Sequence, residues 1–331
     1  GVDYDTVVGR SLIICMPRDA SGVIQPVEIA GRPVRAVKIK GITFEGREVS
    51  TEYGNNPDTT IGFDRLGRNF EGQPESQPFN GSPIGRAINE NNLHLQVMDT
   101  VNVDVPLGFA RFPGLTFEGR ELGALILGLE SEANHFRYFD HLLHLAGGRG
   151  HFTPPWEREN ELPTDINAIS RNFADIVHAF RSLGEELRRL HDAGVIWVYP
   201  YYGQASFVNG RAKIHDLEAS LDQSSMTTEQ KIAYRLQDLR TLFNADETYC
   251  PGRILFALFT RAGIDYRRLI AEGYFGRELV QDPGRRAILG SLEGKMGTGA
   301  DSIEGSLRKL FRRSGRTQDP IVLVMEDVIR Q

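Results

Sequence analysis

Near residue 131 the apolar pattern of this chain changes character. Before that point, apolar residues fall in short alternating runs bounded by turn residues. Beyond it they recur at helical spacing. A chain written this way forms a strand-rich part followed by a helix-rich part, because each period buries a different kind of face. In the first part, residues 10–16 are β-rich and stop at Pro17-Arg18-Asp19-Ala20-Ser21-Gly22. A second run, Val23 to Ile29, stops at Ala30-Gly31-Arg32-Pro33, and a third runs from Val34 to Ile39. These three predict an antiparallel meander. Residues 41–82 are polar, with much Gly, Asn and Pro, and read as a long insertion or loop.

Pro83 to Met98 then reads as a helix, with Ile84, Ala87, Ile88 and Leu95 available for one face. Val103 to Phe112 and Glu121 to Glu130 complete five strands. Leu122 to Leu129 is apolar enough to be a buried central strand. In the second part, Asp165 to His191 predicts one long amphipathic helix, stopped by Gly194. Two short strands follow, at Ser206–Val208 and Ala212–Ile214, joined by Asn209-Gly210, a strong hairpin turn. Helical patterns cover 228–243, 253–262, 284–296, 302–313 and 321–329.

Composition narrows the function classes. Hydrophobic residues make up 40% and charged residues 25% of the 331, an ordinary globular balance. A formal net charge of −6 argues against a general nucleic-acid binder, and the basic run Arg308 to Arg316 reads as a solvated face. Cys15 and Cys250 lack metal-type spacing. No apolar run approaches the roughly 20 residues that span a bilayer. The opening residues lack a secretion-signal pattern, and Gly1 in place of Met leaves room for an upstream segment. The expected home is a reducing cytoplasm.

Four local sequences, in this element order, resemble the protein-kinase-like superfamily, including its aminoglycoside-phosphotransferase and small-molecule-kinase branch. The likeness covers residues 8–245. Arg35-Ala36-Val37-Lys38 resembles the Val-Ala-Ile-Lys of the third strand. It implies that Lys38 contacts the nucleotide's phosphates and that Ala36 and Leu129 pack on adenine. Lys40 shares that strand face and is the rival lysine. Glu90, on the following helix, is implied as the lysine's partner.

Leu190-His191-Asp192-Ala193-Gly194-Val195-Ile196 resembles the lead into the catalytic loop, but the loop itself departs. Trp197 stands where the motif histidine belongs, Tyr199 where the catalytic aspartate belongs, and Gln204 where the metal-binding asparagine belongs. A tyrosine is no base at neutral pH. Ala212-Lys213-Ile214-His215-Asp216-Leu217-Glu218 resembles the strand ending in Asp-Phe-Gly, which implies Asp216 as a magnesium ligand and Glu218 as a further carboxylate. Asp238 stands where small-molecule kinases carry a helix aspartate that braces the catalytic loop.

The glycine-rich loop also departs. Only Gly22 lies between the first two strands, and Asp19 beside it would repel phosphates.

The resemblance thus implies a two-lobed α+β fold: a five-stranded antiparallel N-lobe with one helix over 1–130, and a helical C-lobe over 131–331. It implies ATP and Mg²⁺ as cofactors. Asp216, Glu218 and Tyr199 are the catalytic candidates. Lys38, Glu90, Ala36, Leu129 and Gln204 are the cofactor contacts, and Asp216 and Gln204 the metal ligands. Its partners are a nucleotide and a protein or small-molecule substrate, with neither nucleic acid nor membrane. Three functions stay open: an atypical phosphoryl transferase, or an adenylyl transferase as in selenoprotein-O-type members that lack the same aspartate; a pseudokinase acting as scaffold or allosteric partner; and a cleft reassigned to another small molecule. His141 and His144, one helical turn apart, read as packed or exposed rather than metal-binding.

Overall fold

A computed structural model describes residues 2–4, 11–40, 82–117, 120–130, 137–148, 166–198, 200, 202–217, 220–243, 250–277, 325, 328 and 329. The chain divides into two compact units, residues 1–98 with 103–135, and residues 99–102 with 136–331. It is a mixed α+β protein with an N-terminal antiparallel sheet and a helical C-terminal region. Among the described residues, no helix is long and apolar enough to cross a membrane.

The first unit contains β1 (Val2–Tyr4), β2 (Ser11–Cys15), β3 (Val27–Ile29), β4 (Arg32–Val34), β5 (Ala36–Lys40), β6 (Ser82–Pro83), α1 (Ile84–Val97), β7 (Val105–Phe117) and β8 (Arg120–Leu129). The main sheet has six strands rather than the expected five, in the order β1-β2-β5-β8-β6, with β7 also on β8. The predicted meander is not what forms. β2 pairs directly with β5, and β3 and β4 make a separate hairpin. Proline explains the exclusion: Pro26 and Pro33 cannot donate to a central ladder. Ala30 and Gly31 turn the hairpin with positive φ, 52° and 72°.

α1 packs Ala87 and Ile84 on Leu125 and Leu127. Its face differs from the one expected, since Leu95 is 52% exposed while Glu90, Asn91 and His94 are buried. Burying the Glu90 carboxylate there requires a partner on the sheet, which Lys40 supplies.

The second unit contains α2 (Tyr138–Leu145), α3 (Ile166–Arg171), α4 (Phe173–Asp192), β9 (Val195–Ile196), β10 (Ala205–Val208), β11 (Arg211–Ile214), β12 (Leu221–Asp222), α5 (Thr228–Phe243), α6 (Cys250–Arg261) and α7 (Tyr266–Phe275). The one long helix expected over 165–191 is broken at Asn172, whose amide nitrogen donates to the Leu145 carbonyl at 2.6 Å. The Asn209-Gly210 hairpin forms as its turn chemistry requires, both residues having positive φ, 52° and 76°. β10 and β11 pair Ser206 with Lys213 and Phe207 with Ala212. The helical patterns at 284–296, 302–313 and most of 321–329 lie outside the described residues, as do 41–81.

The core of this unit is an aromatic group around Phe180, which meets Tyr202, Phe256, Phe259 and Tyr266. α4 crosses α7 on glycine: a Cβ on Gly184 would run into the Ile270 carbonyl, and one on Gly273 into the Arg181 carbonyl. Beside the crossing Glu272 accepts from Arg181 at 2.7 and 2.9 Å and from Arg268 at 3.1 Å.

The crossing predicts that Gly184→Ala costs about 1–3 kcal/mol through overpacking. Gly85→Ala in α1, where an added Cβ meets nothing, should be neutral or stabilise by up to about 1 kcal/mol. Urea denaturation checks both, and equal effects would contradict the close helix approach.

Candidate functional site

In the first unit, strand period decides which side chains share a face. β5 puts Ala36, Lys38 and Lys40 on one side. Ala36 pairs with Leu129, Lys38 with Leu127 and Lys40 with Leu125, and on the other flank Lys38 pairs with Ile13. Ile13, Ala36 and Leu129 form one buried apolar cluster, with Cys15 against it. The expected contacts Ala36, Leu129 and Lys38 are therefore neighbours, and Lys38 is only 5% exposed.

Glu90 faces the same sheet from α1, yet the lysine bonded to it is Lys40. The Lys40 ammonium donates to both Glu90 oxygens, at 2.9 and 3.0 Å. His94, one turn further, brings Nε2 to 3.8 Å from Glu90 and Nδ1 to 3.2 Å from the Asp104 carbonyl oxygen.

The turn between β2 and β3 is organised by Asp19. Its carboxylate accepts from the Ser21 N–H and Val23 N–H at 2.9 Å each, from the Ser21 hydroxyl at 2.6 Å and from Gln25 Nε2 at 2.7 Å. Those bonds, the Ser21 hydroxyl first, hold its pKa below the ordinary value. The backbone N–H groups that a phosphate would need are thus already satisfied from within the loop.

In the second unit the centre is Asp238, on α5 and wholly buried. Its Oδ2 accepts from the Trp197 N–H at 2.8 Å and its Oδ1 from the Val198 N–H at 2.9 Å. His191, at the end of α4, lies 2.9 Å from Oδ2 through Nε2 and 2.7 Å from the Tyr274 hydroxyl through Nδ1. Burial keeps Tyr274 protonated far above the ordinary phenol range. His191 thus bridges the Tyr274 hydroxyl and the Asp238 carboxyl through its two ring nitrogens. Val198 has φ of 74°, a costly conformation for a β-branched residue that the two Asp238 bonds help to hold.

Trp197 carries this arrangement onward. It is buried, and its indole N–H donates to the Asp216 carbonyl oxygen at 2.9 Å. The His215 N–H donates to the Gln204 carbonyl at 3.0 Å, so Gln204 is paired through the backbone with the residue before Asp216. The Gln204 Oε1 is buried with no hydrogen-bond partner among the described residues. Beside it, His215 Nε2 lies 2.6 Å from the Ser206 hydroxyl. Tyr199 and Glu218 lie outside the described residues.

Asp238 bracing the 197–198 backbone is the arrangement expected from its place on α5. The His191–Tyr274 link was missed, since nothing in the sequence relates positions 83 apart. His141 stacks on Phe207 with ring centroids 4.6 Å apart, and burial lowers its pKa.

No protein-family model matches the sequence, and no curated protein matches it. Among solved structures, WaaP in complex with acyl carrier protein is similar over 88% of this chain and 85% of that chain, at 14% identity and a TM-score of 0.35. A score that low carries no argument about this chain.

The buried His191–Asp238 pair makes a pH prediction. Burial raises the Asp238 pKa from 3.8 to about 8 and drives that of His191 well below 6.5. The raised carboxyl stabilises the fold at low pH and loses that contribution from about pH 4 to about 8. The depressed imidazole costs stability as pH falls below 6.5. The two oppose each other below 6.5, which leaves a net fall in stability between pH 6.5 and about 8, with a slope of about 1.4 kcal/mol per pH unit. Urea titrations across that range should show the slope in the wild type and lose it in Asp238→Asn. An unchanged slope in the variant would contradict the assignment.

Proposed function

We propose that this chain is an atypical kinase-like protein that binds ATP with Mg²⁺ and transfers a phosphoryl or adenylyl group without the usual loop aspartate. The observation that carries the reading is the tether from Asp238 through Trp197 to Asp216. A loop whose chemistry had lapsed would have little reason to keep a buried carboxylate on two backbone N–H groups, a strained Val198 and an indole bond to the metal-type aspartate.

The residues present fit the cofactor. Mg²⁺ takes hard oxygen ligands; Asp216 carries a carboxylate, and the Gln204 Oε1 has no hydrogen-bond partner among the described residues. Gln204 in place of asparagine supplies the same amide oxygen on a longer stem. On the β5 face, Ala36 and Leu129 belong to a buried apolar cluster, and Lys38 and Lys40 follow along the same strand face. When bound, the metal neutralises charge on the nucleotide's phosphates. The second unit's own part is positioning: the Trp197 indole fixes Asp216 by its backbone carbonyl. Phosphoryl transfer depends mainly on placement and charge, so the missing aspartate does not by itself forbid it.

A pseudokinase, acting as scaffold or allosteric partner, is the second reading, and Asp19 favours it. Its carboxylate fills the turn whose N–H groups would hold phosphate.

A thermal shift with ATP, with and without Mg²⁺, tests the nucleotide reading on wild type and Asp216→Ala. The reading expects a Mg²⁺-dependent rise that Asp216→Ala abolishes. No shift at millimolar ATP would sink it. A shift without any ATP turnover would transfer the case to the pseudokinase.

A further inference from the structure

At the crossing of α4 and α7 one buried carboxylate meets three guanidinium groups. The Glu272 side chain is 3% exposed, and it accepts from Arg181 Nε and Nη2 at 2.9 and 2.7 Å and from Arg268 Nε at 3.1 Å. Arg277 brings its own Nε to 3.8 Å. All four residues belong to the second unit. We propose that Arg181, Arg268 and Arg277 bind the dianionic head of a phosphate monoester, with Glu272 as the counter-ion that holds their forks in place. The site does not depend on the nucleotide reading.

The fold brings the three arginines together by separate means. Glycine at 184 and 273 lets α4 approach α7 closely enough for Arg181 to reach Glu272. Arg268 stands four residues before Glu272, on the same face of α7. Gly276 ends that helix with φ of 89°, a turn that brings Arg277 back toward the carboxylate.

Charge decides what such a site takes. Three guanidinium groups against one carboxylate leave a surplus of two positive charges, and like charges held this close repel unless an anion joins them. The neighbouring acids are already engaged. Glu185 lies 3.9 Å from Arg189, and Asp265 accepts the Arg268 backbone N–H at 3.1 Å as the N-cap of α7. Arg268 and Arg277 face Glu272 through Nε, so the Nη ends of both forks carry no hydrogen bond among the described residues. Exposure climbs from 25% at Arg181 to 45% at Arg268 and 60% at Arg277, which leaves those ends open to a ligand. Paired N–H donors match two oxygens of a phosphate. A monoester carries close to two negative charges above its second pKa of about 6, which balances the surplus.

Two sources share this chemistry, a free phosphate ester and the headgroup of phosphatidic acid, and both are assayed on the full chain without Mg²⁺. A thermal shift with glycerol 3-phosphate, against chloride at matched ionic strength, reads the first. Sedimentation with phosphatidylcholine vesicles, with and without phosphatidic acid, reads the second. Wild type should respond in at least one arm, and a response to glycerol 3-phosphate should grow from about pH 5 to about pH 7. Arg277→Gln, whose Nε lies beyond hydrogen-bond distance of Glu272, should keep the fold and weaken the response about ten-fold. Arg268→Lys keeps the charge without the fork and should weaken it as well.

A response to phosphatidic acid alone assigns the site to a lipid headgroup, and one to glycerol 3-phosphate assigns it to a free ester. No response in either arm, or one that Arg277→Gln keeps in full, would overturn the site. A response that Arg268→Lys keeps in full would reduce it to unspecific charge and overturn it too.

Discussion

A carboxyl group with no access to water must find its hydrogen-bond partners inside the protein, and Asp238 is the clearest case here. Two backbone N–H groups from consecutive residues and the His191 imidazole converge on it. The cost of burying it is offset only while all three stay in place, so the segment after β9 has little freedom. Much of the second unit is arranged around that requirement. Tyr274 comes from α7 to hold the His191 ring through its hydroxyl. Arg235 and Gln223 bond the His191 carbonyl at 2.6 and 2.9 Å and so fix the end of α4. The glycine crossing of α4 and α7 brings Tyr274 close enough to take part. The consequence reaches Asp216, because the residue held by Asp238 is Trp197, and Trp197 bonds the Asp216 carbonyl.

The first unit answers a similar problem with an ion pair. α1 buries Glu90, Asn91 and His94 rather than a continuous apolar stripe, and the sheet beneath it supplies a lysine where the helix supplies a carboxylate. The same sheet face turns apolar along β5, from Lys40 through Lys38 to Ala36.

How much of this was legible in the sequence depended on the range of the forces involved. The Asn209-Gly210 hairpin was readable because positive φ at two adjacent positions is a local demand that few residue pairs satisfy. Asp238 was readable from its place in the motif order. The shared face of Ala36, Lys38 and Lys40 followed from the strand period alone, but the period cannot say at what height α1 crosses, so it could not choose between the lysines for Glu90. The direct pairing of β2 with β5 went unread because Val23 to Ile29 has a strand's composition, and Pro26 and Pro33 act only once a central ladder is in question. The buried polar side of α1 was misjudged for a related reason: Leu95 looks like core until the partners of Glu90 and His94 are known.

We propose Asp216, whose carbonyl oxygen accepts from the Trp197 indole, as a divalent-metal ligand for a bound nucleotide. Anomalous diffraction from crystals grown with Mn²⁺ and a non-hydrolysable ATP analogue tests it most directly. The account predicts a manganese peak in coordination distance of the Asp216 carboxylate, with the Gln204 amide oxygen turned toward it. An analogue bound with its metal on other residues, or crystals with no manganese peak at Asp216, would contradict the account.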